Sequence, residues 1–260
     1  MSLDLTSIFR DWPYEPGRLN VRLIKGDDGE PKVQVRLDLG LLQMNAEGRP
    51  DGERPHGFES LLEYHESRLD ALERGESRES DERGEEPSSL ELTPEECKAL
   101  RDEAAQYYHR YVALLVLEDF EGVIRDTTRN LRLLDFCAAH AREEDDRTVL
   151  EQVRPYITMM RARAMASQAL RDNEHQAAVL AVDDGVAALR DHYAARGEPE
   201  AFEDSNEVQM LRTMRETLVP KLPVSQTAEL RERLQEALQN ENYELAAILR
   251  DELRMISKPG

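Results

Sequence analysis

Long stretches with apolar residues at helical spacing, each broken by a very short polar hinge, limit most strongly what this chain can become. Glu118-Asp119-Phe120-Glu121-Gly122-Val123, Asn173-Glu174-His175-Gln176-Ala177-Ala178 and Glu241-Asn242-Tyr243-Glu244-Leu245-Ala246 occupy equivalent positions in the pattern. Each closes one helical stripe and opens the next, with a small or β-branched residue three places after the aromatic or His. A hinge that short returns the second helix antiparallel along the first. The expected fold is mainly α: antiparallel helical hairpins stacked side by side.

The last of these hairpins is the most readable. Leu230, Leu234, Ala237 and Leu238 form one apolar stripe, and Asn240 and Asn242 interrupt it because Asn favours turns and caps over helix interiors. Tyr243, Ala246, Ala247 and Arg250 then share a face, and the paired alanines let two helices approach closely. Leu234, Ala237, Leu238, Tyr243, Ala246 and Ala247 are the expected packing residues of the hairpin. Leu245, Ile248, Leu249, Leu253 and Ile256 make a second apolar flank. One short partner helix cannot bury both flanks, so a further surface is implied.

This stretch resembles the UVR motif, which ends the excision-repair subunit UvrB, occurs within UvrC, and appears in Clp-type ATPases and their adaptor-like partners. The resemblance rests on the Leu-rich first helix, Glu241, Tyr243-Glu244, Ala246-Ala247 and Arg250-Asp251. It implies contact between helical hairpins rather than chemistry. Leu245, Ile248, Leu249, Arg250, Asp251, Leu253 and Ile256 are then the candidate partner-binding residues. Arg250 has a second reading, since it can pair back across the turn to Glu241 or Glu244, whereas adjacent Arg250 and Asp251 point apart.

Upstream, Thr93-Pro94-Glu95-Glu96 reads as an N-cap, a proline at the first helical position and acids in the first turn, so a helix is expected to about Glu118. Further helices are expected from near Phe120 to about Ala141, after Pro155 to Leu170, after Asp172-Asn173 to Tyr193, where Arg196-Gly197-Glu198-Pro199 stops it, and from Glu207 to Leu218. The first two hinges resemble those of tetratricopeptide (TPR) units, although the spacings are irregular and the family's Trp, Leu, Gly and Tyr positions are not all filled.

The N-terminal part follows another period. Leu19, Val21 and Leu23, then Val33, Val35, Leu37 and Leu39, alternate with polar residues around a turn-rich Gly26–Pro31 segment, which reads as a β-hairpin. Leu41, Leu42 and Met44 prolong the second strand or begin a third. Trp12-Pro13-Tyr14-Glu15-Pro16 reads as an irregular lead-in, and residues 48–57 as a long loop carrying arginines and His56. A helix with Phe58, Leu61, Leu62, Leu69 and Leu72 is the expected cover for the sheet. From Glu73 to Ser89 nothing apolar is available to bury, and composition reads as a disordered acidic linker. The expected division is 1–74, a hairpin-plus-helix module; 75–92, linker; 93–222, helical hairpins; and 223–260, the UVR hairpin.

Chemistry is sparse. The formal net charge of −20 opposes a broad phosphate-binding surface, so tight nucleic-acid binding is not expected. Cys97 and Cys137 are isolated and read as free thiols in a reducing, cytoplasmic setting. No apolar run approaches the roughly 20 residues of a membrane span. No histidine pairs with another at metal-ligand spacing, Glu143-Glu144-Asp145-Asp146 lacks the oxygen spacing of a calcium loop, and the phosphate-binding glycine loop of an ATPase is missing, so no cofactor is expected. The function expected is a non-enzymatic interaction or adaptor protein, with a UVR-bearing protein of a repair or protease system, or a second copy, as its partner. The alternative is an accessory subunit that binds an anion through Arg22, Arg36 and the 48–57 loop.

Overall fold

The structure is a computed structural model; residues 4–75 and 89–218 are described, with 234, 235, 239 and 250 beyond them. Met1–Arg215 close into one compact unit, and Glu216–Gly260 belong to a second.

The N-terminal module is a three-stranded antiparallel sheet: β1 (Asn20–Lys25), β2 (Pro31–Arg36) and β3 (Leu41–Asn45), in that order. Leu41 to Met44 thus form a separate strand. Val21, Val35 and Leu42 stand in register on one face, as do Leu23, Val33 and Met44. The middle strand is buried on both faces, Lys32, Gln34 and Arg36 included.

What covers the polar face was not legible. The lead-in contains a short helix, α1 (Thr6–Asp11), followed by Trp12. The Arg22 guanidinium lies 4.1 Å from the Trp12 ring centre, and that of Arg36 lies 3.9 Å from Phe9. These cation–π contacts let an apolar segment sit on an arginine-bearing face.

The helix after the long loop, α2 (Leu61–Glu73), starts at Ser60, whose hydroxyl accepts from the Glu63 amide. It was expected to cover the sheet. Instead β2 packs against α3 (Pro94–Val116), and α2 packs beside that same helix. α3 begins as the sequence dictates, with a complete Thr93–Glu96 capping box and Pro94 at its first turn. Just before it Leu90 and Leu92 are already buried, and Leu92 makes a bridge to Ala141, exchanging backbone hydrogen bonds with His140 and Arg142.

The remaining helices are α4 (Phe120–His140), α5 (Glu144–Thr148), α6 (Arg154–Arg171), α7 (His175–Ala195), α8 (Pro199–Asp204) and α9 (Asn206–Leu218), with a 3₁₀ segment, Val149–Val153, between α5 and α6. α3 packs on α4, α4 on α6 and α6 on α7. The equivalence of the first two hinges holds in the backbone. Glu118 and Asn173 both adopt positive φ, 58° and 62°, and the next amide, of Asp119 or Glu174, reaches back to Leu114 or Ala169. Arg196-Gly197-Glu198 repeats the motif with Gly197 at 72°, so this stop is also a hinge: Pro199 opens α8. The acidic run at 143–146 supplies the N-cap and first turn of α5, where acids favour a helix N-terminus.

The core is shared. Leu62 from α2, Leu100 from α3 and Leu133 from α4 are fully buried in one cluster with Cys97, Cys137 and Ile157. α6 and α7 meet closely where Gly185 faces Ala162: a Cβ on residue 185 would stand 2.5 Å from the Ala162 Cβ.

Candidate interaction site

Two features of the helical layer stand out. The first is a carboxylate buried where three elements meet. Glu103, on α3, has no exposed side-chain surface. It accepts from the backbone amides of Leu61 and Leu62 at 2.8 and 3.4 Å, capping the first turn of α2. Its carboxylate also pairs with Arg49, 3.1 Å away, and with Arg129 of α4. Arg129 lies 4.1 Å from the Tyr107 ring centre. Burial, with Arg132 and Arg49 nearby, pulls the Arg129 pKa down to about 9.

Two turns along α3, Arg110 makes a two-pronged pair with Asp126 at 2.7 and 2.8 Å, and donates to the carbonyls of Asn45 and Gly48. Arg125 reaches the Ala46 carbonyl and Glu47. These arginines fasten the end of β3 and the following loop to α3 and α4. The site is structural: every charge in it has a partner inside the chain.

The second feature is a cleft of 440 Å³ between α3, α4 and the start of α6. Its walls include Tyr108, Tyr111, Tyr156, Leu134, Val153 and Ile157, with Arg101, Asn130 and Gln152 as polar lining residues. The Tyr108 ring meets Tyr111 edge-on at 5.5 Å and lies 6.1 Å from Tyr156. Burial, with the Tyr156 and Tyr108 phenols close by, drives the Tyr111 phenol pKa far up. Arg101 is tied to Asp146, and Asn130 donates to the Ala104 carbonyl. Tyr108 and Tyr111 recur at helical spacing with the apolar residues of α3, and nothing in the pattern links Tyr156 to them. That the three line one opening follows from the packing of α6 across α3 and α4.

The anion-binding face proposed for the N-terminal module is otherwise engaged. Arg22 donates to Gln34 at 2.7 Å, and Arg36 donates to the carbonyls of Trp12, Leu37, Asp38 and Gly40. In the 48–57 loop, Arg54 pairs with Glu59, and His56 stacks on Tyr64 at 4.0 Å.

Among the other histidines, His109 lies against Tyr108 and His140 against Phe136. His175 is half-buried at its hinge, with a ring nitrogen 3.2 Å from the Asn173 carbonyl. Cys97 and Cys137 are free and buried, and burial pushes their thiols up to about 11 and about 12. Among the described residues no group of His, Cys, Asp and Glu is arranged to hold a metal, and no helix is long and apolar enough to cross a membrane.

Of the residues expected to carry the terminal hairpin, Ala237, Leu238, Tyr243, Leu245, Ala246, Ala247, Ile248, Leu249, Asp251, Leu253 and Ile256 lie outside the described residues. Leu234 and Arg250 are described as helical. The acidic stretch 76–88 lies outside them as well.

Comparison with family models identifies a UVR motif, described as UvrB/uvrC motif, at residues 225–258. The match covers the stretch singled out from its leucine, alanine and Tyr-Glu pattern. No curated protein and no solved structure matches the chain.

Proposed function

We propose that the chain is a non-catalytic adaptor that binds a protein partner through its C-terminal UVR hairpin, residues 223–260. The observation that carries this reading is the UVR match at 225–258, a motif of interaction rather than chemistry. The partner is a second copy or another UVR-bearing protein of a repair or protease system. Leu245, Ile248, Leu249, Leu253 and Ile256 form the docking flank, with Arg250 and Asp251 beside it, while Tyr243, Ala246 and Ala247 close the hairpin. The buried ion pairs of Glu103 and Asp126 support a scaffold role for the helical layer, because their charges are spent on holding elements together. The carbonyl contacts of Arg36 count against an anion-binding accessory subunit.

Two substitutions test the assignment of flanks. Ala247→Glu puts charge and bulk at the helix–helix contact and is expected to open the hairpin, lowering helical content and abolishing association. Leu249→Glu is expected to weaken association while circular dichroism and the melting temperature stay near wild type. Sedimentation, alone and mixed with UVR-bearing candidates, reads the association. If Leu249→Glu unfolds the chain as badly as Ala247→Glu, both flanks are internal and the adaptor reading fails.

A further inference from the structure

We propose that the tyrosine-lined cleft between α3, α4 and the head of α6 docks a basic polypeptide segment, with one large apolar side chain entering the cleft and flanking Lys or Arg residues meeting the acidic run that leads into its 3₁₀ wall. Three observations carry this, none of them involving the terminal motif.

The first is shape. A 440 Å³ cleft with mostly apolar walls has the size and lining of a ligand site. Tyr108 and Val153 at its mouth are 41% and 46% exposed, a large apolar area for positions on a packed helical layer.

The second is the placing of polar atoms on a mostly apolar wall. Among the described residues, no hydrogen bond engages the hydroxyls of Tyr108, Tyr111 and Tyr156. Tyr111 is 1% exposed, so its phenol depends on the cleft for a partner. A purely hydrocarbon occupant would strand that hydroxyl at a cost of roughly 1–3 kcal/mol. A peptide brings backbone donors and acceptors beside its apolar side chain, which satisfies both kinds of wall at once.

The third is charge. The 3₁₀ segment that supplies Leu150, Gln152 and Val153 follows directly on α5 and its acidic run. Asp146 of that run is neutralised by Arg101, but Glu143, Glu144 and Asp145 are exposed and, among the described residues, form no ion pair. The chain's net charge of −20 adds a long-range attraction for cationic partners. An apolar slot whose 3₁₀ wall continues an exposed acidic run, joined to it by the Arg101–Asp146 pair, is complementary to an apolar residue among basic ones.

The test uses the full chain and fluorescein-labelled nine-residue peptides in which one Leu, Met, Phe or Trp is centred among lysines and arginines, with Ser at the centre as control. Fluorescence anisotropy at physiological salt is expected to show at least one anchored peptide binding about tenfold or more tightly than the Ser control. Tyr108→Ser, which removes a half-exposed wall, and Val153→Trp, which fills the mouth, are each expected to weaken the anchored peptide about tenfold with little change in melting temperature. The triple variant Glu143→Gln, Glu144→Gln, Asp145→Asn is expected to weaken it a few-fold. Anchored peptides that bind no better than the Ser control, or that bind a folded Val153→Trp chain as well as wild type, overturn the proposal. Equal binding when the flanks are uncharged overturns it in favour of a small apolar ligand. Self-association in sedimentation that Val153→Trp abolishes overturns it in favour of a second copy. Leu249→Glu should leave this binding unchanged, so failure here and failure of the UVR reading are separable.

Discussion

Replacing Glu103 by Gln should loosen the N-terminal module from the helical layer. The substitution keeps the volume and an acceptor oxygen for the Leu61 amide, but it removes the charge that faces Arg129 and Arg49. The Glu103 side chain has no exposed surface, and those of Arg49 and Arg129 are each 10% exposed, so solvent screens little of the loss. Breaking a buried pair by removing one charge costs about 3–5 kcal/mol. Because Gln retains a hydrogen bond to α2, the low end applies, about 3 kcal/mol. At roughly 2–4 °C per kcal/mol for a unit of this size, the melting temperature should fall by about 6–12 °C.

Limited proteolysis should then cut the 49–60 part of the loop early, because Arg49 and the α2 cap hold that part, while Arg110 and Arg125 still hold residues 45–48. The double variant Glu103→Gln, Arg129→Met removes both members of the pair and should recover at least half the loss, since the uncompensated charge is what costs most. A fall below about 2 °C for Glu103→Gln, or a double variant as unstable as the sum of its parts, would refute the reasoning.

Three further outcomes are expected. Burial holds the His65 pKa at about 4, against 6.5 when exposed, despite the opposing charge of Glu96; Arg68 and His56 act with burial. Its Nδ1 faces the Arg68 guanidinium at 3.1 Å, which also favours the neutral ring. The unfolded chain therefore binds the extra proton first. This stability is complete above about pH 6.5 and is lost as pH falls towards 4, up to about 3 kcal/mol; His65→Gln should flatten that slope in urea titrations, and an unchanged slope would sink the assignment. Gly185→Ala gains about 1 kcal/mol of helix propensity but drives a Cβ to 2.5 Å from that of Ala162, and overpacking of about 1–3 kcal/mol should win, seen as a lower urea midpoint. Glu118→Gly relieves a side chain held at φ 58° and should raise stability by about 0.5–1 kcal/mol, with a neutral or negative result arguing that the hinge is not strained.

Local chemistry determined much of this protein. The Thr93–Glu96 box fixes where α3 starts because the capping bonds close within four residues. The hinges at Glu118 and Asn173 were recognisable from their neighbours, since a hairpin turn is set by the residues that make it. The terminal motif was readable for the same reason, its leucine, alanine and Tyr-Glu pattern lying within one short stretch of sequence. What sequence left open depends on residues far apart in the chain. Arg22 and Arg36 looked available for an anion because alternation says which face of a strand a residue takes, not what lies over that face. Phe9 and Trp12 do, from a segment whose prolines spoke only of irregularity. No pattern in the sequence separates Glu103 from the other acids of a charged helix. Only the convergence of Arg49, Arg129 and the head of α2, separated from it by 26 to 54 positions in the sequence, makes it the joint of the unit. The cleft arises likewise: Tyr108, Tyr111 and Tyr156 are ordinary helix residues until α6 crosses α3 and α4 and leaves the space between them open.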